Sequence, residues 1–262
     1  MIQLLGIPYD LNSSFLRGPA YAPTRIRLAD AEGSANRFTE AGLEVLEGKV
    51  FNDAGDLIFE HTAPQKVFEN IRSNIASLIA DGDQVLSLGG DHSVSYPIVS
   101  AFTDQYPGLN ILHLDAHADL YEDFEGNPFS HASPFARIME EGKVGSLTQV
   151  GIRTFNTHQR EQAKQYGITV IEAKDFHFDF IQNLQGPLYI SLDLDVLDPA
   201  FAPGVSHHEP GGLSSRDIIQ IIQQIDVPIV GADIVEYNPM RDINSMTAMV
   251  AYKMMKELMG KM

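Results

Sequence analysis

The sequence predicts an α/β fold in which a parallel β-sheet carries helices on both faces. Three observations lead there. Short apolar runs alternate along the chain with longer stretches whose apolar residues recur every three or four positions. That strand-then-helix repetition is the pattern of a parallel sheet covered on both sides. Three of the runs also end directly in clusters of His, Asp and Gly, and in such sheets ligands bind beyond the carboxyl ends of the strands.

The predicted strands are residues 2–7, 84–88, 110–114, 148–151, 168–171, 187–192 and 229–232. Each is a short run built on Val, Ile or Leu, as expected for strands buried on both faces. Residues 62–80 read as a helix, with Pro64 near its start and Val67, Ile71, Ile75, Leu78 and Ile79 on one stripe. Residues 214–225 open on a Ser214/Asp217 capping pattern and carry Ile218, Ile221, Ile222 and Ile225. A last helix from about residue 245 sets Met249, Tyr252, Met255 and Met259 at helical spacing. That stripe reads as core packing, because unbranched Met fills irregular gaps.

The chain has 262 residues, 44% of them hydrophobic, which suffices for one well-buried domain or at most two small ones. Gly and Pro are scattered and no repeat or linker is visible, so residues 1–262 are expected to form a single catalytic domain. The absence of cysteine excludes disulfides, thiolate metal sites and cysteine nucleophiles, leaving His, Asp and Glu as side-chain metal ligands. A net charge of -17 argues against a nucleic-acid partner. It is compatible with a small cationic substrate and equally with ordinary acidic solubility. No apolar run approaches the ~18 to 20 residues of a membrane span. The first residues lack the basic start and long apolar core of a signal peptide, so cytoplasmic residence is the expectation.

The chemistry is concentrated at three strand ends. Residues 85–88 run into Gly89-Gly90-Asp91-His92-Ser93, where two glycines allow a sharp turn and a close backbone approach. Residues 111–114 lead into Asp115-Ala116-His117-Ala118-Asp119. In extended backbone Asp115, His117 and Asp119 point to one face, as Asp193 and Asp195 do after the run 188–192. Burying such carboxylates together costs several kcal/mol, roughly, unless a cation sits between them. His92, Asp115, His117, Asp119, Asp193 and Asp195 are too many ligands for one tetrahedral zinc. They suit two ions of octahedral leaning, and mixed oxygen and nitrogen donors without sulfur favour manganese, with Co, Ni or Fe fitting the same donors. Two such ions ~3.5 to 4 Å apart activate water for hydrolysis at neutral pH.

These three motifs, in this order and spacing, resemble the signatures of the ureohydrolase family, which includes arginases, agmatinases, guanidinobutyrases and formimidoylglutamases. The likeness runs nearly end to end, from residues 6–10 and 12–19 to the C-terminal helix. Residues 124–127, 130–133, 135–140, 200–207 and 230–239 are most similar to the plant-type arginases. The resemblance implies a three-layer α/β/α sandwich with a mostly parallel sheet of about eight strands, and a homo-oligomer, trimer or hexamer. It implies two Mn²⁺ per subunit, one on His92, Asp115, Asp119 and Asp193, the other on His117, Asp115, Asp193 and Asp195, with Asp115 and Asp193 bridging.

Two further residues match family positions. His131 corresponds to the histidine proposed to pass a proton to the leaving amine, work that suits an imidazole. Glu236 closes the run 229–235 and corresponds to the carboxylate that orients the planar guanidinium through paired hydrogen bonds. Tyr121 and Asn127, in the loop after Asp119, are the candidate contacts for the substrate's far end. His113 reads as packed inside a strand, and His61, His158 and His177 as surface residues. His207 and His208 either line the entrance or stand exposed.

The leading expectation is hydrolysis of L-arginine to L-ornithine and urea, and the alternative is hydrolysis of agmatine to putrescine and urea. Another guanidino acid or a formimino compound is a third reading. A catalytically silent metal-binding scaffold is a fourth, which loss of a ligand, His131 or Glu236 would favour, and none is lost.

Overall fold

A computed structural model describes residues 1–33 and 35–262. Eight strands form one sheet in the order β2-β1-β3-β8-β7-β4-β5-β6, every adjacent pair parallel. They are β1 (Ile2–Gly6), β2 (Phe51–Asp56), β3 (Gln84–Leu88), β4 (Asn110–Leu114), β5 (Ser146–Ile152), β6 (Thr169–Glu172), β7 (Leu188–Asp193) and β8 (Ile229–Val235). The helices are α1 (Ala22–Ala31), α2 (Pro64–Ile79), α3 (Ser95–Gln105), α4 (Pro134–Glu140), α5 (Thr157–Tyr166), α6 (Ser215–Gln224) and α7 (Met246–Met259).

Neighbouring residues of one strand enter opposite cores, as the pleat requires. Leu86, Leu112 and Leu114 pack with α1, α6 and α7 on one face, while Val85 and Ile111 pack with α2, α3 and α4 on the other. Three layers result, as the resemblance implies. Val67, Ile71, Ile75 and Ile79 of α2 are buried, and Leu78 partly so. The Ser214/Asp217 capping box is present at the start of α6. The methionine stripe of α7 is core, as its spacing predicts: Tyr252, Met255 and Met259 are buried and Met249 packs against them.

The apolar pattern does not mark β2. This strand, Phe-Asn-Asp-Ala-Gly-Asp, lies at the sheet edge with almost every residue exposed, and its pairing with β1 alone makes it a strand.

The centre of the sheet is where the strand ends are aligned. Strands β3, β8, β7 and β4 are consecutive, and Leu88, Ile234, Leu192 and Leu114 stand in one register row across them. The carboxyl ends of these four strands are therefore level, and the chain leaving each begins at the same height.

Candidate metal centre and substrate cavity

Each of the four level strand ends delivers site residues: β3 leads to His92, β4 to Asp115, His117 and Asp119, β7 to Asp193 and Asp195, and β8 to Glu236. The turn after β3 is tight because Gly90 lies against the backbone of Tyr9. A Cβ there would sit 1.8 Å from the Tyr9 carbonyl oxygen, which accepts the Asp91 N–H. Asp91 is buried and accepts from the amide and hydroxyl of Ser93 and the amide of Asn12, fixing the turn that presents His92.

Simple strand alternation does not continue through the other clusters. Asp119 reaches the site from a left-handed residue at φ 52°, and Glu236 from one at φ 62°. Such backbone costs of order 1–3 kcal/mol in a side-chain-bearing residue and persists where the surroundings impose it. Asp195 sits in a short 3₁₀ turn, Leu194–Val196, in which Asp193 Oδ1 accepts the Asp195 N–H at 2.8 Å.

His92 Nδ1 is buried without a hydrogen-bond partner among the described residues, yet it lies 3.1 Å from one oxygen each of Asp115, Asp119 and Asp193. His117 Nδ1 lies 3.0 Å from Asp195 Oδ2 and 3.5 Å from Asp115 Oδ1. Asp115 thus spans both groups, Oδ2 toward His92 and Oδ1 toward His117. Burial, together with Asp195 and Asp115, pushes the Asp193 carboxyl well above its ordinary range, and burial raises Asp195 to about 6. Without a cation this floor is electrostatically expensive. Buried carboxylates converging on an unpartnered imidazole nitrogen, with no sulfur, form a donor set that fits divalent metal ions.

His113 is close enough to be mistaken for a ligand. Both its ring nitrogens are engaged: Gln149 Nε2 donates to Nδ1 at 3.0 Å, and Nε2 donates to Asp115 Oδ2 at 2.7 Å. Its ring stacks on Phe135 with centroids 3.8 Å apart. It is packed, as its place inside a strand predicts, but it also holds a carboxylate of the floor. Its position in β4, two residues before Asp115, was the available signal.

Above the floor lies a cavity of about 490 Å³. Glu236 and His131 line it together, with His131 Nδ1 donating to Glu236 Oε1 at 2.7 Å. The same oxygen accepts the His92 N–H at 2.9 Å, which leaves Oε2 for a ligand. Burial alone would lower the His131 pKa, but the Glu236 carboxylate outweighs it and, with Asp91, holds the ring up at about 9. On the other side the Ser14 amide and hydroxyl meet Nε2 at 3.1 and 2.8 Å. An amide donor there favours the neutral ring while the carboxylates favour the charged one, a balance suited to proton transfer.

Tyr121 lines the cavity, and Asn156 Nδ2 donates to its hydroxyl at 2.6 Å. Asn127 does not line it. Asn127 pairs its backbone with Phe124 and accepts the Phe129 N–H, holding the loop's turn instead. His207 joins the wall, its ring 5.3 Å from His131 and 5.8 Å from His117, with Phe15 on its outer side. His208 is exposed and bonds the Pro203 carbonyl. His61, His158 and His177 are exposed, as expected. Ser14, Asn156 and Glu209 are wall residues without a sequence signal of their own, because they come from loops far apart in the chain. Among the described residues, no Lys or Arg lines the cavity.

The family model described as Arginase family matches residues 1–260. "Arginase 1, mitochondrial" of Arabidopsis thaliana is 48% identical over 273 residues, covering 98% of this chain and 80% of that protein. The agmatinase of Halalkalibacterium halodurans is 35% identical over 262 residues, covering 98% of this chain and 90% of its own length. Among solved structures, the arginase from Medicago truncatula superposes with a TM-score of 0.92 at 43% identity, covering 100% of this chain and 87% of that one. The expectation of a cytoplasmic location is overturned by these relatives, since plant arginases similar to this chain are named mitochondrial or chloroplastic. A missing signal-peptide pattern therefore does not place the chain in the cytoplasm. No helix among the described residues is long and apolar enough to cross a membrane.

Proposed function

The chain belongs to the arginase family, and on that premise we propose that it hydrolyses L-arginine to L-ornithine and urea with two manganese ions per subunit. The observation that carries this reading is His92 Nδ1, buried, unpartnered and facing three carboxylate oxygens beneath the cavity that Glu236 lines. His92, Asp115, Asp119 and Asp193 would hold one ion, and His117, Asp115, Asp193 and Asp195 the other. When bound, the ions supply Lewis acidity and a water made nucleophilic at neutral pH.

The protein's own residues do the rest. Glu236 Oε2 accepts from the guanidinium and fixes its plane against the floor. His131, held protonated by Glu236 and Asp91, delivers a proton to the nitrogen that leaves as the ornithine amine. The Ser14 hydroxyl, 2.8 Å from the far nitrogen, accepts from the protonated ring and keeps it aimed. At the other end, Asn156 donates to the Tyr121 hydroxyl, so the phenol hydrogen is free for the substrate's α-carboxylate. Glu209 on the same wall suits the α-ammonium. Agmatine keeps the ammonium but lacks the carboxylate, and so leaves the Tyr121 hydroxyl unpaired. A single catalytic domain over residues 1–262 and assembly into a homo-oligomer, trimer or hexamer, belong to the same reading, supported by the single sheet and the family resemblance.

Urea release from L-arginine and agmatine, measured side by side on Mn²⁺-loaded protein, tests the substrate. The expected result is kcat/KM higher for L-arginine, with measurable activity on both. The reverse order would make agmatine the substrate and leave the floor assignments intact.

A further inference from the structure

Behind the floor, in the interior of β8, lies a second carboxylate centre that does not line this cavity. Asp233 is fully buried and accepts three hydroxyl groups: Ser191 on Oδ1 at 2.7 Å, and Ser95 and Tyr189 on Oδ2 at 2.8 and 2.7 Å. Ser191 Oγ also lies 3.0 Å from His92 Nε2. A hydroxyl has one hydrogen, and here it is given to the carboxylate. Toward His92 the Ser191 oxygen can only accept, so His92 Nε2 carries the ring proton. In the neutral ring Nδ1 is then a bare lone pair, and it is the atom that faces Asp115, Asp119 and Asp193.

We propose that Asp233, acting through Ser191, is a positioning residue that sets the tautomer of His92 so that Nδ1 is ready to bind a divalent cation. This rests on the reading of His92 as a metal ligand. Outer partners of a ligating histidine fix its tautomer and orientation, and their loss typically weakens metal binding about 10- to 100-fold. The geometry adds a directional consequence. In Asp233→Asn, the amide oxygen must take the two hydroxyls of Ser95 and Tyr189, which turns the amide nitrogen toward Ser191. Ser191 then accepts from that nitrogen and donates its own hydrogen to His92 Nε2. The proton of the imidazole moves to Nδ1, where the metal should bind.

The test uses two readouts on the full-length protein. In metal-free protein labelled with ¹⁵N-histidine, at a pH high enough to neutralise the ring that the facing carboxylates hold protonated, NMR should show His92 as the Nε2–H tautomer in the wild type and as Nδ1–H in Asp233→Asn. In Mn²⁺ titrations, Asp233→Asn should bind the first ion about 100-fold more weakly and Ser191→Ala about 10-fold more weakly, with Ser191→Thr restoring affinity. Tyr189→Phe and Ser95→Ala disturb the same buried centre but keep the Ser191 link, so their Mn²⁺ affinity should stay within about 3-fold of wild type. Should Asp233→Asn fail to fold, the Ser191 pair and the wild-type tautomer decide. An Nδ1–H tautomer in the wild type, or unchanged affinity in Ser191→Ala, overturns the inference. A wild type that binds no Mn²⁺ would instead sink the metal reading, while the tautomer result still judges this one.

Discussion

The floor of the cavity and its outer wall are built by opposite means. The floor comes from four adjacent strands whose ends stand in one register row, and nearly all of its ligand-type side chains are fully buried. The wall comes from loops around residues 14, 121, 156 and 207–209 that no sheet ladder aligns, with Asn156 exposed and Glu209 half-buried. A buried carboxylate cluster is tolerated only with a cation, so the floor has little freedom to vary. The wall bears no such constraint, and it is where a family can change substrate while keeping its chemistry.

The largest effect should come from the floor. Asp193→Ala removes a carboxylate facing His92, and activity should fall about 10³-fold or more with loss of bound metal, measured by urea release and elemental analysis. Retained metal and turnover would mean that Asp193 is not part of the floor. His131→Asn sits at the boundary between the regions. Its kcat should drop about 10²-fold with metal content unchanged. Because Glu236 holds His131 protonated up to about pH 9, wild-type kcat should decline as pH rises through that value, and the variant should lose this limb. Loss of a metal ion in the variant would make His131 a ligand instead.

The wall should give a smaller and selective effect. Tyr121→Phe deletes one hydroxyl, so kcat/KM for L-arginine should fall about 10-fold while agmatine is little changed. Equal losses on both substrates would remove Tyr121 from carboxylate recognition.

The smallest effect lies far from both regions. Arg216 bonds Glu40 through both carboxylate oxygens and, against the opposing effect of burial and helped by Gln223 and Lys253, lowers its pKa from 4.5 to about 2. The folded pKa is depressed, so this stabilisation is present above about pH 4.5 and is lost as pH falls toward 2. The pair is at the surface and screened, so Glu40→Gln should lower Tm by about 2 °C or less at pH 7, and by nothing near pH 2.

The same contrast decides what could be read from the chain. The floor was legible because His92, Asp115 and Asp193 each lie within four residues of a buried apolar strand. Strand β2 was not, since an exposed polar edge strand carries no apolar pattern and exists through pairing alone. Asn127 looked like a wall residue because it sits in the right loop, but Glu125 at φ 55° and the Phe124–Asn127 pairing turn it into the loop's own support. His207 reaches the cavity beside residues roughly 75 to 90 positions away in sequence, so only tertiary structure could separate it from exposed His208.

The central claim is that two ions on this floor do the hydrolysis. Stripping the protein with a chelator and titrating Mn²⁺ back while following urea release from L-arginine tests it most directly. Activity should be abolished by the chelator and return in full only at two ions per subunit. Full turnover at one ion per subunit would contradict the account.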